Sequence, residues 1–231
     1  MKRFLHAIAI LCTAAFPAVA QQSAVVVELY TSQGCSSCPP ADEMMQVLAE
    51  RDDVIALSLH VDYWDYIGWK DEFADPKHAK RQRGYAMEAG RRSVYTPEMI
   101  VNGTSDIVGA KPMKLATAIE KHKSDPKTVD LDLLRSGDTV IINARVVSGT
   151  QKAMTIHMLR YQPRRKADIT RGENAGRTLE YVNVAQDWQV LSEWDGAAPL
   201  QVEANAPGEW PIVVLVQRGD YGPILAAGTI D

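Results

Sequence analysis

Cysteine is scarce in this chain: three in 231 residues, at positions 12, 35 and 38. A framework of disulfide staples is thereby excluded, because domains that depend on staples are small and carry several bridges. A structural zinc site needs four ligands, and no second cysteine pair exists to supply them. Long apolar runs are missing too; beyond residue 20 none approaches the about 20 residues that cross a bilayer as a helix. Basic charge is in deficit, with 25 Lys and Arg against 29 Asp and Glu. That balance gives no support to a nucleic-acid partner. Repeats and low-complexity tracts are absent, so an ordinary apolar core must hold the fold.

What is present begins at the N-terminus. Lys2 and Arg3, an apolar stretch from Phe4 to Phe16 and then Ala18-Val19-Ala20 have the layout of a secretory signal with an A-x-A cleavage site. Ala9-Ile10-Leu11 lacks the small residues that precede a lipidated cysteine, so no membrane anchor is expected. Cleavage after Ala20 would remove Cys12 and leave a periplasmic or secreted chain of 211 residues with net charge −6. Cys35 and Cys38 would be its only thiols.

These two form Cys35-Ser36-Ser37-Cys38, directly after the β-branched run Val25 to Tyr30 and directly before Pro39-Pro40 and a helical stretch. Strand, short loop, CxxC and helix make the arrangement of a dithiol redox site. Bridging so short a loop constrains little of the unfolded chain, so stability is a poor reason for it. Cys35 is expected at the helix N-terminus, where unsatisfied N–H groups and the helix dipole favour a thiolate. CxxC thiols in this setting titrate at about 3.5–7.5 instead of about 8.5. Cys35 is therefore the expected nucleophile, exposed to a partner's sulfur, and Cys38 the enclosed resolving thiol. The expected activity is disulfide exchange with cysteine-containing exported proteins, with a redox partner that recycles the dithiol. No cofactor or resident metal is expected. Two other uses of the motif stay open: a Cu(I) metallochaperone, since soft thiolates suit that ion, and a non-catalytic peptide-binding module.

The spacing of Met44, Val47 and Leu48 predicts a helix over 41–50 with these residues inward. Val54 to Val61 reads as a second strand. Asp75, Pro76 and Gly90 frame a helix over 75–89. Met99-Ile100-Val101 followed by Asn102-Gly103 predicts a strand entering a tight hairpin, and 112–121 a last helix. The order β-α-β-α-β-β-α is that of thioredoxin. From Ser124 the chain changes to short alternating runs separated by Gly, Pro, Asp or Asn, the pattern of an antiparallel sandwich. The expected organisation is a signal peptide over 1–20, a thioredoxin-like α/β domain over 21–124 and an antiparallel, β-rich, sandwich-like domain over 125–231.

Further residues are drawn to the site. In a thioredoxin fold the strand facing the CxxC begins with a cis-proline, and Thr96-Pro97 stands in that place, expected to dock a substrate backbone. Glu28 interrupts an apolar strand, so it either faces solvent or is a buried carboxyl able to move a proton for the resolving cysteine. Tyr63, Trp64, Tyr66, Trp69 and Phe73 crowd eleven residues, as a wedge of core or as a groove wall for a polypeptide. Lys77, Lys80, Arg81, Arg83, Arg91 and Arg92 read as a solvated basic face.

The runs Val27 to Asp42, His60 to Asp71, Tyr95 to Met99 and Gly172 to Arg177 together resemble a family of bacterial exported, thioredoxin-like proteins of unknown function. The resemblance implies a thioredoxin fold with an appended β-domain and a redox role for the cysteine pair. It names no substrate. Gly172 to Arg177 has two readings: a turn closed by a Glu173–Arg177 ion pair, or a loop that crosses to the active site.

Overall fold

A computed structural model describes residues 24–149 and 152–231. The proposed signal segment, with Cys12, lies outside the described residues. The chain is a mixed α/β fold. Its first part runs β1 (Val25–Thr31), α1 (Pro39–Leu48), β2 (Val54–His60), α2 (Pro76–Glu88), β3 (Glu98–Val101), β4 (Ser105–Val108) and α3 (Pro112–Lys123). The order expected from the sequence is therefore present. Seven strands follow: β5 (Val129–Ser136), β6 (Thr139–Val146), β7 (Met154–Asp168), β8 (Thr178–Trp194), β9 (Leu200–Asn205), β10 (Ile212–Arg218) and β11 (Ile224–Ile230).

Eight strands make one sheet in the order β11-β10-β7-β8-β2-β1-β3-β4. β1 and β2 run parallel, β3 is antiparallel to β1, and β8 joins β2 in parallel at Ser58–Val184. The sheet thus runs on past Asp125-Pro126 into the β-rich half. β5, β6 and β9 form a second, three-stranded sheet. It packs Val140, Ile142 and Ala204 onto Ile156, Val214 and Ala226 of the large one, giving the two-layer packing of a sandwich.

Strand alternation divides the core around β1. Val26 and Tyr30 meet Ala79 and Tyr85 of α2 on one face, whereas Val25, Val27 and Leu29 meet Met45 of α1 and Leu115 of α3 on the other. Both faces are covered, which explains why β1 and β2 have no exposed side and are mostly apolar. Local signals hold well at α2, where the Asp75 side chain accepts from the Lys77 N–H at 2.8 Å and Pro76 opens the helix. In α1 the buried face differs from the expected one. Ala41, Asp42, Met45 and Leu48 point inward, and Val47 is 67% exposed. The acidic residue Asp42 takes a place that apolar spacing assigns to its neighbours.

Candidate functional site

Cys35 and Cys38 close a disulfide with the sulfurs 2.07 Å apart, at the junction between β1 and α1. Both residues are 0% exposed. The expected open nucleophile is thus enclosed, and only Ser36 and Ser37 of the motif face solvent. The helix begins later than the motif suggests. Cys38 is its N-cap, and Pro39 and Pro40 fill the first two positions. Prolines carry no N–H, and the next donors, Ala41 N and Asp42 N, both bond to the Cys38 carbonyl at 2.8 and 3.1 Å. The helix end therefore offers Cys35 its dipole but not the free amides expected there.

A loop from the far half of the chain lies on the motif. The β7–β8 hairpin is long, and its tip, 169–177, reaches the cysteines. Asn174, buried, donates through Nδ2 to the carbonyls of Gln33 at 2.9 Å and Cys35 at 3.0 Å. Oε2 of Glu173 accepts from Ser36 Oγ at 2.6 Å and Ser36 N at 3.2 Å. These two hydrogen bonds hold the Glu173 carboxyl below its ordinary range. Arg177 donates to Asn174 Oδ1 at 3.0 Å instead of pairing with Glu173. Of the two readings of this loop, the structure adopts the one that crosses to the cysteines.

The aromatic stretch forms the other wall. A single 3₁₀ turn over Asp65–Ile67 ends at Gly68 in the left-handed region. Trp64 donates from its indole to Thr96 Oγ1 at 2.7 Å, and Trp69 donates to Gln33 Oε1 at 2.7 Å. Tyr66 stacks on Trp64 with ring centroids 6.3 Å apart and is 82% exposed. Phe73 is buried, Tyr63, Trp64 and Trp69 are half-buried against the core, and Tyr66 is exposed, so the stretch is largely a wedge of core with Trp64 and Tyr66 as a wall at its outer edge. Thr96-Pro97 is a cis peptide at the entry to β3. Trp64 connects it to the cysteine loop, since a Cβ placed on Gly34 would stand 3.2 Å from Trp64 Cβ.

Glu28 is fully buried, and its carboxylate is committed elsewhere. Arg81 Nε lies 2.7 Å from Oε1, and Tyr85 donates its hydroxyl to Oε2 at 2.6 Å. Arg81 is thereby withdrawn from the basic face read in the sequence; Lys77, Lys80 and Arg83 stay exposed. A different carboxyl is buried in the first turn of α1, after the N-cap Cys38. Asp42, one helical turn beyond Cys38 on the same face of α1, accepts from Thr31 Oγ1 at 2.7 Å. Its pKa is pushed up to about 7, by burial first, against the opposing pull of His60 and the Thr31 hydrogen bond. His60, paired in register with Thr31, places Nδ1 2.7 Å from Asp71 Oδ2. For Asp71 burial acts upward, but His60 and the N–H groups of Gln33 and Phe73 prevail and hold its carboxyl low. Asp42 Oδ2, His60 Nε2 and Tyr181 OH are buried and find no protein partner among the described residues. Sequence reading had no signal for this cluster except Asp42's place four residues after Cys38.

The family described as a protein of unknown function (DUF1223) matches residues 26–217. The chain belongs to that family. Among solved structures it is similar to protein AGR_C_4864 from Agrobacterium tumefaciens, at 32% identity over 91% of this chain and 96% of that one, with a TM-score of 0.77. HBP35 of Porphyromonas gingivalis shares the fold, at 15% identity over 90% of this chain and 75% of that one, with a TM-score of 0.62. No curated protein matches the chain.

Proposed function

We propose that this family member is an exported thiol–disulfide oxidoreductase that exchanges its Cys35–Cys38 disulfide with cysteine-containing polypeptides. The observation that carries the reading is the disulfide itself: three residues of separation, at a strand–helix junction, with no other cysteine after position 12. A structural bridge of that span would stabilise little. The connectivity β1 to α3, with Thr96-Pro97 at the entry to β3, is that of thioredoxin-like proteins and supports the same reading.

Because the bridge is enclosed, the cysteine loop must first open; a partner thiolate then attacks Cys35 Sγ and breaks the Cys35–Cys38 bond. Cys38 leaves as a thiolate and takes a proton. A second partner thiolate then attacks the mixed disulfide, releasing the Cys35 thiolate and leaving the partner disulfide. Two electrons pass from the partner dithiol to this protein, and the reverse sequence oxidises it again. Asp42, not Glu28, is the carboxyl positioned to give or take the Cys38 proton. Trp64 and Tyr66 offer the incoming chain an aromatic surface beside the cysteine loop.

The test is the equilibrium reduction potential of the pair on the chain without residues 1–20, by thiol alkylation across defined redox buffers, together with trapping by Cys38→Ala. A working couple lies between about −120 and −270 mV, and the variant accumulates mixed disulfides through Cys35. A potential below about −300 mV, or a variant that captures nothing from exported proteins, would overturn the proposal.

A further inference from the structure

We infer that Glu173, at the tip of the β7–β8 hairpin, is a positioning residue that disfavours the Cys35 thiolate and so sets the dithiol toward the reducing side. The inference rests on the reading of Cys35–Cys38 as a redox couple and adds the residue that regulates it.

Three observations combine. The start of α1 has no amide to spare for Cys35: Pro39 and Pro40 carry none, and Ala41 and Asp42 donate to Cys38 O. The Ser36 N–H, inside the motif, donates to Glu173 Oε2, and the Ser36 hydroxyl donates to the same oxygen. Both donors of Ser36 are therefore spent on a carboxylate, which leaves the Ser37 hydroxyl as a donor toward Cys35 Sγ. That carboxylate is held beside the cysteines by its neighbour, because Asn174 bonds to the carbonyls of Gln33 and Cys35.

The consequence depends on redox state. In the disulfide both sulfurs are neutral, and the nearby carboxylate costs nothing. On reduction by two electrons Cys35, the residue adjoining Ser36, would become a thiolate, and the Ser36 N–H and hydroxyl are already engaged by the Glu173 carboxylate. Like charges at close range raise the pKa of the group that ionises second. A disfavoured thiolate makes the reduced form less stable relative to the disulfide, which lowers the potential. The Ser37 hydroxyl lies 3.4 Å from Cys35 Sγ, and it carries no charge. Cys35 and Cys38 are enclosed, so the balance is decided by groups fixed in the protein. Glu173 itself is exposed, and its effect is open to screening by salt.

The experiment compares wild type with Glu173→Gln, which keeps the shape and an acceptor oxygen, and with Glu173→Ala, which keeps neither. In chemically reduced protein the Cys35 pKa is read from the pH dependence of alkylation rate. Potentials are read in alkaline redox buffer. Both variants are expected to lower the Cys35 pKa, raising the thiolate-to-thiol ratio at fixed pH about tenfold, the size of one pKa unit. The potential should become less negative by about 30 mV, the tenfold equivalent for a two-electron couple. The gap between wild type and Glu173→Gln should narrow at high salt. An unchanged pKa in both variants overturns the inference, even if wild type exchanges disulfides normally. A wild-type pair that does not exchange would instead sink the oxidoreductase reading, and the alkylation pKa would still decide the role of Glu173.

Discussion

Arg81 and Glu28 form an ion pair of 2.7 Å with both side chains sealed in the core. The pair is the centre of a larger network. Arg81 Nη2 donates to Tyr85 OH at 2.6 Å and Gln217 Oε1 at 2.9 Å, and the guanidinium lies 4.2 Å from the centre of the Trp188 ring. Strands β1, β8 and β10 and helix α2 are thus tied at one point, and β8 and β10 come from the β-rich half. Removing one partner of such a pair strands a buried charge, whereas removing both need not. Arg81→Met is expected to lower unfolding free energy by about 3–5 kcal/mol, and Glu28→Gln with Arg81→Met to recover much of that loss. Chemical denaturation of the three proteins checks it. Equal destabilisation in single and double variants would show that the charge pairing does not govern the site.

Asp42 gives the fold a pH dependence of definite sign. Its pKa is raised by burial to about 7 from an ordinary value of 3.8, so between these pH values the folded chain holds a proton that the unfolded chain has lost. Stability from this group is full at low pH and falls as pH rises toward 7, at about 1.4 kcal/mol per unit. The groups that face Asp42 are Thr31, His60, Asp71, Glu43 and Tyr181. Asp42→Asn removes the carboxyl that titrates. Wild type should therefore lose stability relative to the variant between pH 5 and pH 7, in urea titrations at each pH. A constant difference would mean that Asp42 ionises as an ordinary carboxyl. In the oxidoreductase reading the same variant slows proton transfer to Cys38 and flattens the pH profile of exchange.

The first half of the chain was legible because its signals are local. Asp75-Pro76 starts α2 by side-chain and ring geometry, and Asn102-Gly103 turns β3 into β4 with both residues at positive φ. The cysteine motif likewise announces itself within four residues. What stayed hidden depends on contacts far apart in sequence. Gln162, Arg164, Arg165 and Lys166 lie in β7, yet their polarity hides a strand that continues to Asp168. Without that length the tip of the hairpin could not be placed on the cysteines. Glu28 looked available for proton transfer because its partner Arg81 is 53 residues away. Asp42 stood out only by its place four residues after Cys38, because Thr31 and His60, which surround it, come from two strands.

His157 acts in the opposite direction from Asp42. It is buried in β7, and burial first, then the Arg81 charge, pushes its pKa down to about 3. Trp188 donates its indole N–H to Nδ1 at 3.2 Å, which favours the neutral ring with its proton on Nε2. Below about pH 6.5 the unfolded chain binds a proton that the folded ring refuses. Stability from His157 is thus full above that pH and falls as pH drops toward 3. His157→Gln keeps an acceptor for Trp188 and should remove one proton from the slope of stability against pH between 6 and 4. An unchanged slope in urea unfolding would show that the imidazole is protonated in the fold.

Gly34 tests the wall beside the dithiol. A Cβ there would stand 3.0 Å from Ile67 Cδ1 and 3.2 Å from Trp64 Cβ. The Ile67 methyl ends a flexible side chain and can turn away. Trp64 Cβ is tied to backbone, and its indole is held by Thr96. Gly34→Ala must therefore push Trp64 outward or draw the cysteine loop back. Overpacking of this kind costs about 1–3 kcal/mol, with the lower end expected because one of the two neighbours can yield. If the wall guides an incoming polypeptide, the variant should also slow exchange with protein disulfides more than with a small disulfide, which needs no wall. Parallel rates with the two substrates, at the expected loss of stability, would leave Trp64 and Thr96 as packing residues and remove them from the docking surface.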